Sequence, residues 1–461
     1  MPRRTYRWLP GRERTFATSR GSYGGVPLAI AATLLASALV LVAMQGGMIF
    51  PLLALGVAAF VLLLAVVGVR RGAIATLMAA FATAPMYKGL ASSPDAQVTP
   101  TDLLFLLGFV LLVPTVITRP LRLPATYLAG IILVFLTGCI GSLVSESVPG
   151  SLMALVLWLM VMGGLPIMIA WWRPEPVVVQ LLLWSYVAGH MVSTAYAVLD
   201  GPTEQGRYGG LATHFNYFAQ AGMLTFAIAL YLFGRYRGTF GRAVVVGAGL
   251  ISVYSVLLSG SRAATAVLAV LIIMVPIVER SAALGFVWAM LGALVVVALP
   301  LAVDVAGENS SLGRLAGGGG AQYSDQAREL GQQEGISRFL DHPLTGSGLI
   351  DLFDIHNNYL EVAVGAGVFG LVGYLLVLYT LARPLFGEGP HRRLSYATWG
   401  YLGFGATIPS LYDRGIWAPV SLAMLAALWS VNTRRPDESP IPPEDRTGRL
   451  AGDRHHLRGS P

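Results

Sequence analysis

Charged residues are scarce in this sequence. Of its 461 residues, 12% are Asp, Glu, Lys or Arg and 55% are hydrophobic, and the mean hydropathy is +0.65. An ordinary soluble domain carries about 25% charged residues. The scarcity excludes a soluble globular enzyme. Because the apolar residues come in long blocks with the charges between them, we expect lipid to be the solvent.

Cysteine is almost absent as well. Cys139 is the only one, and it lies inside an apolar run. A single cysteine excludes an intramolecular disulfide and a cysteine-based zinc cluster. The chain also lacks a P-loop, an HExxH motif, paired CxxC motifs, a GxGxxG after a strand, and an Asp-x-Asp pair. We therefore expect no cofactor and no metal, and any chemistry would need a substrate that is already activated.

Apolar runs long enough to cross a bilayer as a helix, about 20 residues, recur along the chain. The long ones are 26–45, 48–69, 125–144, 150–172, 177–198, 215–233, 243–258, 263–278, 282–303, 358–382 and 415–431. Shorter or glycine-interrupted ones are 72–87, 102–118 and 396–411. Together they predict an all-α polytopic membrane protein with fourteen transmembrane helices, or twelve if one pair is re-entrant.

The positive charges predict the orientation. Counted on alternate sides of the spans, Lys and Arg number 24 on the side of both termini and seven on the other side. The positive-inside rule then places both termini in the cytoplasm, and it explains the net charge of +7 without nucleic acid. We expect a basic cytoplasmic N-terminus at 1–25, transmembrane helices over 26–303 and 358–431, one large extracytoplasmic loop at 304–357, and a disordered cytoplasmic tail over 432–461.

The second half of the large loop has the pattern of an amphipathic helix near 325–341. Ala327, Leu330, Ile336, Phe339 and Leu340 would fall roughly on one face of it. His342-Pro343 would end the helix, because a residue before proline avoids the helical region.

Three arginines on the predicted outer side stand at places where an anion could approach. Arg207 lies in a glycine-rich loop, Arg262 follows Ser259-Gly260-Ser261, and Arg338 lies on the predicted loop helix. Arginine presents a planar fork of donors that matches phosphate oxygens. If the three converge, they suit a diphosphate. The alternative is that each extends to the lipid headgroups or pairs with an acidic residue of the same side.

The strongest local signal is Asp354 to Glu361, which enters the 358–382 span. Asn358 is predicted to cap that helix, with Glu361 completing a capping box. His356 would then lie at the positive end of a helix dipole, which favours a neutral imidazole that can accept a proton and also attracts anions. A neutral base beside an anion site suits transfer of a group from a diphosphate. The alternative is a His356 that only hydrogen-bonds its loop.

Other polar residues carry weaker signals. His190 lies mid-span and is expected to hydrogen-bond a neighbouring helix. His214 and Asn216 open the 215–233 span, where they could cap the helix or touch a substrate. Asp413-Arg414-Gly415 reads as a tight turn with a local ion pair.

Three blocks of residues, in this order, resemble the O-antigen ligase and O-antigen polymerase family of bacterial envelope enzymes. The first is Gly206-Arg207-Tyr208 with Asn216, and the second is Leu258-Ser259-Gly260-Ser261-Arg262. The third runs from Arg338-Phe339 through His342-Pro343-Leu344-Thr345-Gly346-Ser347-Gly348 to His356-Asn357-Asn358-Tyr359-Leu360-Glu361. The third block is specific and the other two are loose. The resemblance covers about 207–380.

The resemblance implies a multispan helix bundle of the plasma (inner) membrane, similar to lipid-dependent glycosyltransferases. It also implies a glycan donor on undecaprenyl diphosphate, an acceptor lipid or glycan, and no metal. Arg207 and Arg262 would hold the diphosphate, and Arg338 would orient the donor or the loop. His356 would activate the acceptor hydroxyl, with Arg262 beside it in catalysis, and Asn216 and Asn357 would contact substrate.

Two subclasses share these motifs, and a transporter is the rival from another class. A ligase moves the glycan to a separate acceptor, whereas a polymerase moves it to another lipid-linked repeat unit. A transporter of lipid-linked glycans would instead show inverted repeats and charges near the bilayer midplane. The sequence shows no internal repeat, and its charges lie at the ends of the spans, which favours an enzyme.

Overall fold

The computed structural model describes residues 64–91, 98–306, 310–315, 317–318, 321–350, 352 and 355–432, and the regular elements in these ranges are all helices. The chain divides into two compact units, Met1–Gly72 and Ala73–Pro461. Almost all of the described residues belong to the second unit. The predicted N-terminal segment 1–25, the span 26–45, most of the span 48–69 and almost all of the tail 432–461 lie outside the described residues.

The first half of the described chain is a series of helices. They are α1 (Val69–Thr83), α2 (Pro100–Val116), α3 (Ala125–Val144), α4 (Val148–Leu159), α5 (Leu165–Trp172), α6 (Pro176–Asp200) and α7 (Phe215–Phe233). One π-helical turn, Met160–Gly164, joins α4 to α5, and a 3₁₀ helix, Ala84–Leu90, follows α1.

The second half continues in the same way. Its helices are α8 (Thr239–Leu258), α9 (Arg262–Glu279), α10 (Ala282–Ala306), α11 (Ser311–Leu315), α12 (Ala321–Asp341), α13 (Asn358–Ala382), α14 (Ser395–Gly405), α15 (Arg414–Ser421) and α16 (Met424–Asn432). With 11 residues, α14 is roughly 16 Å long. It is shorter than the predicted 396–411 segment and too short to cross a bilayer alone.

Eight helical segments among the described residues are long and apolar enough to span a membrane. They are Ala125–Val144, Val148–Trp172, Pro176–Asp200, Phe215–Phe233, Thr239–Leu258, Arg262–Glu279, Asn358–Phe386 and Arg414–Val431. Each coincides with a run found in the sequence. The prediction of an all-α, multi-pass membrane protein is therefore confirmed, whereas the total of twelve to fourteen spans and the orientation of the termini stay predictions.

The helices α3 and α13 lie in close contact along their length. Their contact is lined by small residues: a Cβ on Gly130 would come within 2.7 Å of the Gly373 carbonyl oxygen, and one on Gly141 within 2.3 Å of the Gly365 carbonyl oxygen. Thr126 and Thr380 share a hydroxyl hydrogen bond of 2.8 Å between the two helices. In lipid, where the hydrophobic effect does not drive helices together, such small residues permit the close packing that does.

Helix α13 is interrupted at Gly367, and the segment after α12 supplies hydrogen-bond donors to the carbonyls that the interruption exposes. Gly367 has φ +69° and lies outside the helical region. The break frees carbonyls at Val364 and Gly365, which accept hydrogen bonds from the backbone N–H groups of Ser347 (2.8 Å) and Gly348 (3.1 Å). Freed backbone groups in a membrane helix need such partners. Part of the third sequence block therefore has a structural role, because its backbone N–H groups donate to carbonyls at the interruption of α13.

Replacing Gly367 with alanine is expected to destabilise the protein by more than about 2 kcal/mol. The positive φ strains any residue with a Cβ, and that Cβ would lie 2.3 Å from the Leu344 carbonyl oxygen. Thermal unfolding in detergent measures the effect. Gly247→Ala is the matched control, because a Cβ on Gly247 of α8 would meet no atom within 4 Å. Equal unfolding temperatures for the two variants would contradict the break.

The loop helix exists, but its packed face is not the predicted one. Helix α12 starts at Ala321, four residues before the predicted start at 325. Leu330, Ile336 and Leu340 are exposed, and of the predicted apolar face Phe339 packs against the core. The packed side instead carries Gly335, where a Cβ would come within 2.9 Å of Leu360. Close approach to α13, rather than burial of an apolar stripe, determines how this helix sits.

Candidate active site

The turn between α8 and α9 places Arg262 at the first position of α9. Gly260 has φ +66°, which lets the chain reverse directly after α8. Ser261 precedes the helix, and its backbone N–H donates to Ser259 Oγ at 3.1 Å. The side chain of Arg262 pairs with Asp325 of α12, donating from Nη1 to Oδ2 at 3.0 Å and from Nη2 to Oδ1. This bidentate pair connects the second sequence block to the loop helix.

Arg207 lies against the same turn. It is buried, 4% exposed, and its Nε donates to the Ser259 carbonyl at 2.9 Å. Its Nη2 donates to Asn216 Oδ1 at 3.4 Å, and its guanidinium stacks on the ring of Phe215. A cation beside the C-terminal carbonyls of α8 is favoured by the dipole of that helix. The structure therefore brings together Arg207 and Asn216 of the first sequence block and Arg262 of the second.

The short helix α11 positions a further arginine, Arg314, near the end of α8. Ser311 opens α11, and its buried hydroxyl donates to the Val256 and Leu257 carbonyls, both at 3.1 Å. This anchors the segment to the end of α8. Arg314, three residues on, is buried with 7% exposed surface. Arg328 lies one turn after Asp325 on α12 and is partly buried.

These arginines raise one another's electrostatic energy. Burial, followed by Arg314, Arg328 and Arg262, lowers the pKa of Arg207 to about 9. Burial and neighbouring arginines also lower the pKa values of Arg314 and Arg328, while Asp325 acts in the opposite direction. Four guanidinium groups thus lie close enough to repel one another, with Asp325 offsetting part of their charge. We call Arg207, Arg262, Arg314 and Arg328 the arginine cluster. A bound anion would relieve its repulsion.

Histidine and lysine lie at the edge of the arginine cluster. His214 caps α7: its Nδ1 accepts from the Asn216 backbone N–H at 3.2 Å, which assigns the proton of the neutral ring to Nε2. Burial, then Arg207, Lys88 and His356, lower the pKa of His214 to about 4. His214 is therefore neutral at pH 7. Arg207 of the first sequence block and His356 of the third both act electrostatically on this ring.

The start of α13 differs from the prediction. Asn357, not Asn358, is the cap, and its Oδ1 accepts from the backbone N–H groups of Tyr359 (3.0 Å) and Leu360 (3.2 Å). The predicted capping box is therefore wrong, because Glu361 stands one residue too far along. Asn358 is buried and hydrogen-bonds Ser410 and Tyr401. Asn357 is predicted to bind substrate. Its amide oxygen is used in the helix cap, which leaves its amide NH₂ group for such a contact.

His356 stands just before this cap in a strained conformation. Its φ is +55°, a region that residues other than glycine rarely adopt. Such strain concentrates at functional sites. The residue is half-buried, so a ligand can reach the ring. The structure thus places His356 at the helix N-terminus, as the sequence predicts.

Two of the weaker sequence signals also have an outcome. His190 hydrogen-bonds Ser255 of α8 at 2.8 Å through Nε2, as expected for a mid-span histidine. Asp413 and Arg414 attract each other as the predicted local pair would, but the close ion pair of Arg414 is made with another helix. Asp413 caps α15, and Arg414 donates to Asp102 of α2 at 2.7 Å.

Arg338 lies away from the arginine cluster. It follows Arg328 by ten residues of α12, roughly 15 Å along the helix axis, and donates to the Ile350 carbonyl at 3.3 Å. The residues that sequence reasoning missed are Arg314, Arg328 and Lys88. Their one signal is membership of the seven basic residues on the less basic side, which does not indicate convergence.

Comparison with known proteins supports the same assignment. Residues 247–375 match the family model described as O-antigen ligase. The match begins within α8 and ends within α13, so it includes Arg262, the large loop and His356. No curated protein matches the chain. The match includes the second and third sequence blocks and confirms the family resemblance there, so residues 247–375 form a domain of the O-antigen ligase family.

Proposed function

We propose that the protein transfers a glycan from undecaprenyl diphosphate to an acceptor hydroxyl at the outer face of a bacterial plasma membrane. The observation that carries this proposal is the arginine cluster. Four mutually repelling guanidinium groups gathered beside the turn between α8 and α9 would suit a multiply charged anion. A diphosphate at a lipid surface has that charge and that position, and paired guanidinium forks match its oxygens.

The reaction needs one proton transfer and one leaving group. The acceptor oxygen would form a bond to the anomeric carbon of the glycan while the bond from that carbon to the diphosphate oxygen breaks. His356 would accept the hydroxyl proton, and the arginine cluster would stabilise the charge on the departing undecaprenyl diphosphate. The neutral His214, with its proton on Nε2, is suited to donate a hydrogen bond rather than to act as the base.

Glycan transfer by the purified protein in detergent tests the proposal. The donor is an undecaprenyl-diphosphate-linked glycan, offered with and without a separate lipid acceptor, and the products are sized on gels. We expect product only with the separate acceptor, as for a ligase. A ladder from the donor alone would instead establish a polymerase, with a lipid-linked repeat unit as acceptor. We also expect full activity with a metal chelator, and a chelator-sensitive reaction would contradict metal-independent transfer.

The rival function is tested with the same preparation. If no donor yields a product, but labelled donor crosses the membrane of liposomes that contain the protein, the protein is a transporter and the proposal fails.

A further inference from the structure

A basic cavity lies at the opposite end of α7 from the arginine cluster. Helix α7 begins beside Arg207 and, over 19 residues, carries the chain roughly 28 Å to Phe233. There a cavity of about 450 Å³ opens between the end of α7, the start of α8 and the segment before α14. Its lining includes Arg235, Arg242, Arg392 and Arg393. This separation excludes a shared role with the arginine cluster.

Two of these four arginines are already partly neutralised. Glu279, at the end of α9, accepts from Arg392 at 2.8 Å and from Arg393 at 2.7 and 2.9 Å. One carboxylate therefore serves two guanidinium groups. His391 beside them adds no charge at neutral pH, because burial and Arg235 lower its pKa to about 4.

The other two arginines are held in place without an acid. Arg242 donates from Nε to the Tyr236 carbonyl at 3.0 Å and lies 5.3 Å from the ring of Phe233. Arg235 lies 6.0 Å from the ring of Tyr231. Within the described residues, neither guanidinium makes an ion pair. The cavity thus presents four guanidinium groups against one carboxylate, and the two without an acid are oriented by aromatic and backbone contacts.

The surroundings of the cavity are those of a membrane boundary. Phe233 lines it and is 40% exposed, and Phe240, two residues before Arg242, is 82% exposed. Aromatic side chains concentrate where a membrane helix meets the headgroup region. Basic pockets between membrane helices at that depth bind the phosphates of anionic lipids.

We propose that this cavity binds a phosphate group, and that the headgroup of an anionic phospholipid supplies it. Arg235 and Arg242 would take the phosphate oxygens through their guanidinium forks, while Glu279 holds Arg392 and Arg393 as the wall of the site. A free phosphate ion offers the same chemistry, so the experiment separates the two sources. The inference is independent of the reaction at the other end of the molecule.

The test is lipid binding by the Arg235→Gln/Arg242→Gln variant. Its matched control is Arg237→Gln/Arg383→Gln, which removes the same charge from two exposed arginines at the same end that do not line the cavity. Binding is measured from the rise in unfolding temperature as phosphatidylglycerol, phosphatidylcholine or inorganic phosphate is added in neutral detergent. Because anions can also bind the arginine cluster, the difference between variant and control isolates the cavity.

We expect phosphatidylglycerol to stabilise the wild type and the control alike, and its affinity for the cavity variant to fall about thirtyfold, given about fivefold per arginine. Phosphatidylcholine should have little effect on any of them. If inorganic phosphate, and not phosphatidylglycerol, stabilises the wild type and the control more than the cavity variant, the cavity binds phosphate but its ligand is a soluble phosphate. Equal responses of variant and control to every additive, with both unfolding at the same temperature without lipid, would overturn the proposal.

Discussion

Arg262→Ala is expected to reduce glycan transfer by at least about a hundredfold, as the loss of one preorganised donor to a developing anion does. Arg262 joins two parts of the site: it is the first residue of α9 and pairs bidentately with Asp325 of α12. Its charge also acts on Arg207 and Arg314. The measurement is the transfer rate of purified protein with saturating acceptor over a range of donor concentrations.

The Asp325→Asn variant distinguishes two roles of Arg262: binding the diphosphate, or only holding α12 through the ion pair with Asp325. The carboxyl side chain of Asp325 is 55% exposed, and its loss leaves the arginine cluster with all four positive charges. If Arg262 binds the donor, Asp325→Asn retains transfer, and donor affinity is unchanged or higher. If Arg262 only anchors α12, the two variants lose activity equally, and the diphosphate site is refuted. Unfolding temperature and membrane insertion of both variants establish that each is folded.

His356→Asn is expected to lower the turnover number by about 10² to 10⁴, the usual contribution of a general base. Asparagine tolerates the positive φ of this position better than most residues, so the variant keeps the backbone while losing the ring nitrogen. Because the step affected is proton removal, the turnover number should fall with little change in KM for the donor. The pH dependence of the residual rate should also lose the limb that belongs to the base.

Two further histidines act as controls for that result. His342 is exposed in the same loop, and His342→Asn should leave transfer unchanged. His214→Asn keeps a side chain that can cap α7 but removes the imidazole near Arg207. If His214→Asn abolishes transfer and His356→Asn does not, the base has been assigned to the wrong histidine. A loss confined to His356 supports the assignment.

Much of the architecture was predictable because it depends on local composition. All eight span-length helices among the described residues coincide with apolar runs in the sequence, since a bilayer imposes a length and a polarity that each segment must meet by itself. Arg262 and His356 were also found from local patterns, Arg262 from the Ser259-Gly260-Ser261 before it and His356 from the predicted helix start that follows it. The domain boundaries, the orientation and the roles of individual site residues stay predictions.

Local patterns failed where several segments compete for one position. Asn357 and Asn358 are adjacent and chemically identical, and either could cap α13. Asn358 does not cap the helix, because its side chain hydrogen-bonds the buried Ser410 and Tyr401, which lie more than 40 residues away in the sequence. Likewise, periodicity assigned an apolar face to α12, but its packed side carries Gly335, where the absence of a side chain lets two helices approach.

Composition and motifs alone predict an all-α membrane protein with few, unevenly placed charges and a domain of the O-antigen ligase family over residues 247–375. Which of the seven basic residues on the less basic side come together depends instead on the packing of the helices. Ser311, anchored to α8, places Arg314 near Arg207, and α12 places Arg328 there one turn after Asp325. Arg338, further along α12, lies away from them. Hydropathy is a property of each segment, but convergence of charges depends on long-range packing, which no local pattern contains.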